Sequence, residues 1–264
     1  MMMAHDDNWL GPKTGSHMVV AGGCGGIGRE LVAQALAHGV NVTVLDLPKA
    51  IRPDCRVAGA RYVGFDALEE QSIIEAVGQI RSAWRNVDAF VFLCGYPILP
   101  RRPLAEVALS AWNDLMSVNL TSAHILVREL LPLLRASETP SITTVASSLG
   151  YQVMPGMGAY AASKGALVSL TKAFAMELAP HVRANVVAPG AVETAFLGGG
   201  TGREDIVSDR GWFDQLSDKY VSSIPLGRVA SPADIVGPIL FLSGPGAGYI
   251  TGQVLHLNGG RLTP

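Results

Sequence analysis

The sequence predicts an α/β domain built on a parallel, doubly wound sheet. Short strand-like apolar runs alternate with stretches of helical period from one end to the other. No linker or low-complexity tract interrupts that alternation, so a single domain is expected, and 264 residues suffice for its core. Hydrophobic residues make up 48% and charged residues only 16%, against roughly 25% charged in ordinary soluble domains. That balance excludes a disordered chain. Twenty basic and 22 acidic side chains leave a net charge of −2, so there is no electrostatic case for nucleic acid or an anionic membrane. Three cysteines cannot form a disulfide framework and suit a reducing compartment. No apolar run approaches the ~18 residues of a membrane span. Met1 to Lys13 is too polar for a signal peptide, and a cytoplasmic location is expected.

Residues 1–15 read as a poorly ordered arm, with 16–264 as the domain. Gly15-Ser16-His17-Met18 matches a remnant that cloning vectors leave, yet it runs straight into a strand and equally reads as native. The expected strands are His17–Ala21, Val40–Leu45, Arg61–Phe65, Val87–Leu93, Ser141–Ala146, Ala184–Ala188 and Gln253–Leu257. Between them the helical period covers Gly26–His38, Glu69–Trp84, Ala111–Leu134, Ala159–Leu178 and Pro232–Leu242. In the first helix Ile27, Leu31 and Ala35 fall four apart on one face, and Gly39 then supplies a left-handed stop. Such alternation requires crossover connections and hence a seven-stranded parallel sheet with helices on both faces. Residues 194–223 break the rhythm. Their run Gly198 to Gly202 reads as a hinge, and Trp212 and Phe213 as the aromatics of a substrate lid.

Val19-Val20-Ala21 leads directly into Gly22-Gly23-Cys24-Gly25-Gly26-Ile27-Gly28, and a helix follows. A strand, a glycine turn and a helix N-terminus make an anion site, because free N–H groups and the positive dipole end converge there. Glycines admit a pyrophosphate to the backbone. Asp46, with Leu47 beside it, closes the second strand where a carboxylate can hold ribose hydroxyls and repel a 2′-phosphate. NAD is therefore expected over NADP. Asp66 and Ala67 follow the third strand, close to the expected adenine; Asp66-Ala67-Leu68-Glu69 also reads as a helix capping box.

Tyr160 and Lys164 lie four apart at the start of a helix and share a face. A phenol of pKa ~10 is about 0.1% ionised at neutral pH. A neighbouring ammonium favours the phenolate and makes it a usable acid or base. Ser147, thirteen residues upstream, can reach a substrate oxygen on the same side.

These motifs occur together and in order: Gly22-x3-Gly26-Ile27-Gly28, Asp46, Asp66, Asn119 in Ser117-Val118-Asn119-Leu120, Ser147, Tyr160-x3-Lys164, and Pro189-Gly190 with Thr194. The tail adds Pro225-Leu226-Gly227-Arg228, Ile250-Thr251-Gly252-Gln253 and Asn258-Gly259-Gly260. Over nearly its whole length the chain resembles the short-chain dehydrogenase/reductase family, NAD-dependent and FabG-like in general type. The resemblance implies a Rossmann fold and hydride transfer between NAD(H) and a secondary alcohol or ketone. It implies Tyr160 as general acid/base, Lys164 lowering its pKa and holding the nicotinamide ribose, Ser147 polarising the reacting oxygen, and Asn119 anchoring a proton-relaying water. Cofactor contacts would come from Gly22, Cys24, Gly25, Gly26, Ile27, Gly28, Asp46, Leu47, Asp66, Ala67, Cys94, Gly95, Tyr160, Lys164, Pro189, Gly190, Val192 and Thr194. A homotetramer is implied through the helices at 111–134 and 159–178 and the last strand.

Two positions depart from the family pattern. Ala21 stands where a threonine is usual, and Phe92-Leu93-Cys94-Gly95 keeps only the glycine of Asn-Asn-Ala-Gly; altered packing beneath the cofactor is expected rather than lost chemistry. Scattered histidines and cysteines give no metal site. Cys24 and Cys94 read as small fillers near the cofactor, and Met154, Met157 and Met176 as packing. Expected substrate walls are Tyr96, Pro97, Ser147, Leu149, Gln152, Met154, Phe196, Trp212 and Phe213. This set is largely apolar and includes no arginine, so a strongly anionic substrate is not expected. A medium-sized alcohol or ketone, cyclic or hydroxylated, fits better. Two other functions remain compatible: a cofactor-retaining epimerase or dehydratase of the same fold, and a non-catalytic NAD-binding regulator.

Overall fold

The computed structural model describes residues 9–198 and 218–264. Its seven strands are β1 (His17–Ala21), β2 (Asn41–Asp46), β3 (Arg61–Gly64), β4 (Ala89–Phe92), β5 (Ser141–Val145), β6 (Arg183–Pro189) and β7 (Val254–Leu257). They form one sheet in the order β3-β2-β1-β4-β5-β6-β7, every pair parallel. Chain order reverses between β1 and β4. In such a sheet that reversal opens a crevice at the carboxyl ends of the strands, where ligands bind.

Both faces of the sheet are covered, and β1 shows how. All five of its residues are buried, and alternate ones serve opposite cores. Val19 and Ala21 pack with α2 (Glu70–Ala83), α4 (Ser122–Arg135) and α5 (Gly158–Leu178) through Ile73, Val77, Leu126, Leu130 and Leu167. Met18 and Val20 face the other way, onto α1 (Gly26–Ala37) and α6 (Pro232–Ser243) through Leu31, Val32, Ile235 and Ile239. The apolar alternation read along the chain is thus the two-sided burial of a parallel sheet.

Three sequence expectations need correction. The helix expected over 111–134 is instead α3 (Leu109–Met116), one π turn over Ser117–Thr121, and α4. The π turn inserts an extra residue, a device that recurs at functional sites; here it carries the fully buried Asn119. The capping box at Asp66–Glu69 does not form. Asp66 Oδ1 accepts from Leu68 N at 3.0 Å, and α2 begins after Glu69 with no side-chain cap. The short carboxylate satisfies its own turn before it can reach the third residue.

The arm expected over 1–15 is docked from Trp9 onward. Trp9 stacks on His38 with ring centroids 3.7 Å apart, and its indole donates to Pro12 O at 2.7 Å. Gly15 N donates to Gly39 O at 2.8 Å. The tetrapeptide Gly15–Met18 is integral to the fold: His17 is buried, hydrogen bonded through Nε2 to Thr43 Oγ1, and stacked on Trp84. Of the lid, a 3₁₀ turn over Ala195–Gly198 and residues 218–223 are described. The remaining hinge glycines, Trp212 and Phe213 lie outside the described residues. No helix among those described is long and apolar enough to cross a membrane.

Candidate active site

The glycine loop sits at the carboxyl end of β1. Gly22 has φ +86°, a left-handed conformation that favours glycine, and a Cβ there would strike the Leu93–Cys94 backbone at 2.9 Å. A Cβ on Gly28 would lie 2.6 Å from Gly22 O, so α1 closes directly onto the loop. Gly25, the N-cap of α1, offers no side-chain cap, and a Cβ there would approach only Gly22 O at 3.7 Å. The helix N-terminus is open, with its first amides free of side-chain caps. That is the cradle a phosphate needs. Thr194 reaches across it: its Cγ2 would be 2.6 Å from a Cβ on Gly26.

Asp46 ends β2 beside this loop. Its carboxylate accepts from Cys24 N (Oδ2) and from Leu47 N (Oδ1), both at 2.8 Å. Burial raises its pKa, and the two amides oppose that rise. Burial also pushes the Cys24 thiol up to about 12, with Asp46 adding to the effect. Cys94 is raised by burial and then by Asp46, with Lys164 opposing. Both are protonated, unreactive thiols, which suits the filler role. Pro189 closes β6, Gly190 N donates to Leu257 O at 2.9 Å, and Val192 bridges to Ala230. The Pro189–Thr194 segment therefore borders the same crevice.

The second half of the site lies at the ends of β4 and β5. Ser147 follows β5, accepts from Leu149 N at 3.1 Å, and is hydrogen bonded to the Tyr160 phenol. Lys164, one turn along α5, is buried and donates from Nζ to Val145 O at 2.9 Å. Asn119 accepts from Tyr96 N at 3.0 Å and donates to Tyr96 O at 3.1 Å and to Ser163 Oγ at 3.0 Å. Ser163 in turn donates to Tyr160 O at 2.8 Å. A Cβ on Gly95 would lie 3.0 Å from Lys164 Nζ and 3.2 Å from Asn119 Oδ1. Both groups therefore crowd the Gly95 backbone, where a side chain has no room.

The pKa pattern departs from the sequence expectation. Burial raises Tyr160 well above its ordinary value, and the Ser147 hydrogen bond only opposes that rise. Burial lowers Lys164 to about 8. The ammonium is turned to the Val145 carbonyl, 5.8 Å from the Tyr160 ring centroid, and the expected lowering of the phenol does not appear. Desolvation favours the neutral form of each group, and here it dominates. The Asn119 side chain is committed to Tyr96 and Ser163, so it braces the segment after β4 against α5.

Tyr96 and Tyr160 share a buried cluster with Met157, and Leu149, Met154 and Phe196 pack against it. The Tyr160 and Phe196 rings lie 6.1 Å apart. Gln152 is exposed and outside that cluster. Met176 is 82% exposed, against the expectation that it packs. Three features escaped the sequence reading. Ser163 bridges Asn119 to the start of α5, and the spacing Tyr-x-x-Ser gave the only hint. Arg101 donates from Nη1 to Met154 Sδ at 3.1 Å. Arg102 lines a small cavity together with Ile98, Gly156, Met157 and Tyr160. Their place in the loop after β4, on the ligand side of a parallel sheet, was the available signal.

A family model described as enoyl-(acyl carrier protein) reductase matches residues 22–261. The chain is similar to the 3-oxoacyl-[acyl-carrier-protein] reductase of Aquifex aeolicus, 30% identical over 93% of this chain and 97% of that one. A short-chain dehydrogenase/reductase structure described as glucose/ribitol dehydrogenase, from Brucella melitensis, superposes with a TM-score of 0.84 at 28% identity, covering 96% and 99% of the two chains. A putative NAD(P)-dependent gluconate 5-dehydrogenase from Beutenbergia cavernae, described with NADP at low occupancy, superposes at 0.82 with 32% identity over 95% and 98%.

Proposed function

Because the chain belongs to the short-chain dehydrogenase/reductase family, we propose that this oxidoreductase interconverts a secondary alcohol and a ketone with Tyr160, Ser147 and Lys164. The observation that carries the assignment is the Ser147–Tyr160 hydroxyl pair, with Lys164 buried one turn along α5 and bonded to the Val145 carbonyl. When bound, the nicotinamide cofactor supplies or receives the hydride. Tyr160 holds the proton: its phenol stays neutral across the physiological range, so Oη donates to a carbonyl oxygen in the reductive direction. Ser147 donates to the same oxygen and fixes its distance from Oη. Lys164 keeps a positive charge below about pH 8, one turn along the helix from Tyr160. Asn119 and Ser163 hold the Tyr160 segment against Tyr96.

The open glycine cradle fits a dinucleotide, and Gly22, Gly25, Gly26, Ile27 and Gly28 would meet its pyrophosphate. We assign NAD as the preferred form on the strength of Asp46, whose carboxylate stands at the edge of that cradle and would repel a 2′-phosphate. Two basic groups of the following loop are engaged elsewhere: Arg52 pairs with Asp54 at 3.2 Å, and Arg56 lies 5.1 Å over the Tyr62 ring. Asp66, Ala67, Pro189, Val192 and Thr194 complete the expected cofactor contacts. The relatives' names include a sugar-alcohol and a sugar-acid dehydrogenase, which supports a hydroxylated substrate.

Exposed apolar side chains support the homotetramer. Met176 on α5 is 82% exposed, Leu109 on α3 is 73% exposed, and Leu255 stands out from β7. Light scattering at micromolar concentration should return four chains; a clean monomer refutes it. A cytoplasmic site of action agrees with three cysteines that are all free. The decisive test of the chemistry is Tyr160→Phe. Turnover of ketones should fall by about 10²–10⁴ while cofactor affinity, read by calorimetry, is kept. Full retention of activity would sink the assignment.

A further inference from the structure

The two arginines after β4 change the expected substrate. Arg101 and Arg102 stand between Pro100 and Pro103, on a loop that packs against the turn leading into α5. A Cβ on Gly156 would lie 3.0 Å from Arg101 Cβ and 3.6 Å from Arg102 N. A Cβ on Gly158 would touch the Leu104 side chain at 3.4 Å. The loop and the start of the catalytic helix are thus in direct contact, and the arginine pair is held at a fixed place relative to Tyr160.

Arg102 lines the same cavity as Tyr160 and is exposed to solvent. It has no ion pair or hydrogen bond to the described residues. Arg101 is half-buried; it donates one guanidinium N–H to the thioether of Met154 and has a further partner besides, so it adds positive charge beside Arg102 rather than a free donor. Ile98, Val107 and Met157 line that cavity too, and the cluster packed around Tyr160, with Tyr96, Leu149, Met154 and Phe196, is apolar or aromatic. A cleft with a proton donor at one place, an apolar lining and a cationic edge matches a ligand of the same division. That ligand has a carbonyl or hydroxyl carbon, a short apolar body and an anionic end group.

We propose that Arg102, flanked by Arg101, forms an anion subsite at the mouth of the Tyr160 cleft and selects hydroxy or keto substrates that carry a carboxylate or a phosphate. Guanidinium recognises both groups through paired N–H donors, and such charge-assisted bonds are about twice as strong as neutral ones. The proposal rests on the alcohol/ketone chemistry assigned above, so its test must read binding separately from turnover.

Two matched pairs serve as probes: acetoacetate with methyl acetoacetate, and dihydroxyacetone phosphate with dihydroxyacetone. Each is titrated calorimetrically into the cofactor-loaded enzyme and assayed for turnover. At least one anion should bind roughly tenfold or more tightly than its neutral partner, and the pair that shows this identifies the end group. Arg102→Gln should abolish that preference by raising KM for the anion, with kcat and the neutral partner little changed. Arg102→Lys should restore part of it, and added salt should weaken it. Equal affinity for both members of both pairs overturns the proposal, as does a preference that survives Arg102→Gln. If neither probe turns over but the Arg102-dependent preference remains, the subsite stands and the chemistry assigned to Tyr160 is what fails.

Discussion

The two halves of the crevice are built by opposite means. Around β1 and β2 the site is made of backbone and missing side chains: Gly22, Gly25 and Gly28 keep a helix N-terminus open, and Asp46 is the one side chain that matters. Around β4 and β5 it is made of polar side chains, the buried Tyr160, Lys164 and Asn119 with the half-buried Ser147, each held by a named partner. The first half needs room for a ligand. The second needs groups kept out of water, where their protonation is set by burial.

Gly95 tests where that division breaks, because it is a glycine inside the side-chain half. Gly95→Ala would press a methyl group to 3.0 Å from Lys164 Nζ and 3.2 Å from Asn119 Oδ1, which must yield by a few tenths of an ångström; since a full ångström costs about 100-fold in rate, about tenfold is expected here. A loss of that order in kcat, with cofactor binding kept, is the expected result; unchanged kcat would mean the crowding has no chemical consequence. Asp46→Ala makes the complementary change, removing the one influential side chain of the backbone half. NADP affinity should rise roughly tenfold relative to NAD, since one charge–charge contact near a protein surface is worth a few kcal/mol at most. Cofactor titrations with both forms decide it, and an unaltered ratio would remove Asp46 as the discriminator.

The smallest effect concerns stability. Lys164 has a folded pKa of about 8, below the ~10.4 of an unfolded lysine. Below pH 8 the folded state holds the buried charge, and the destabilisation is complete. Between pH 8 and about 10 the folded state releases its proton while the unfolded state keeps it, so stability rises with pH. Above pH ~10 the raised Tyr160 pKa acts in the opposite direction. Lys164→Met removes a penalty of about 3 kcal/mol but leaves the Val145 carbonyl without its donor, at about 1–3 kcal/mol. A net gain of about 1 kcal/mol, or roughly 2–4 °C in Tm, is expected at pH 7, with a flatter pH profile. A stability loss would show that the ammonium–carbonyl contact outweighs the burial.

The same contrast explains what could be read from the sequence. The seven strands lie within two residues of their expected bounds, because two-sided burial writes continuous apolar runs between turn residues. The glycine loop was legible for a related reason: a glycine declares a backbone need at its own position. The π turn was not, because its cause is the long-range hold of Asn119 on Tyr96 and Ser163. The opposed pKa shifts of Tyr160 and Lys164 depend on burial, which spacing does not express. Arg101 and Arg102 were left out of the expected pocket because nothing local marks their loop as packed against the start of α5. Trp9 was assigned to a loose arm for want of its distant partner, His38.

The extra residue at Ser117–Thr121 sets α3 and α4 out of phase along one continuous helical path. Each residue of an ordinary helix advances the face by roughly 100°, so removing one residue here would let the backbone run on as a smooth spiral with better internal bonding. The same deletion would swing Asn119 away from Tyr96 and Ser163, and the start of α5 would lose its tie to the end of β4. The chain thus keeps a local fault in its helical rhythm, and that fault sets the aim of residues more than forty positions downstream.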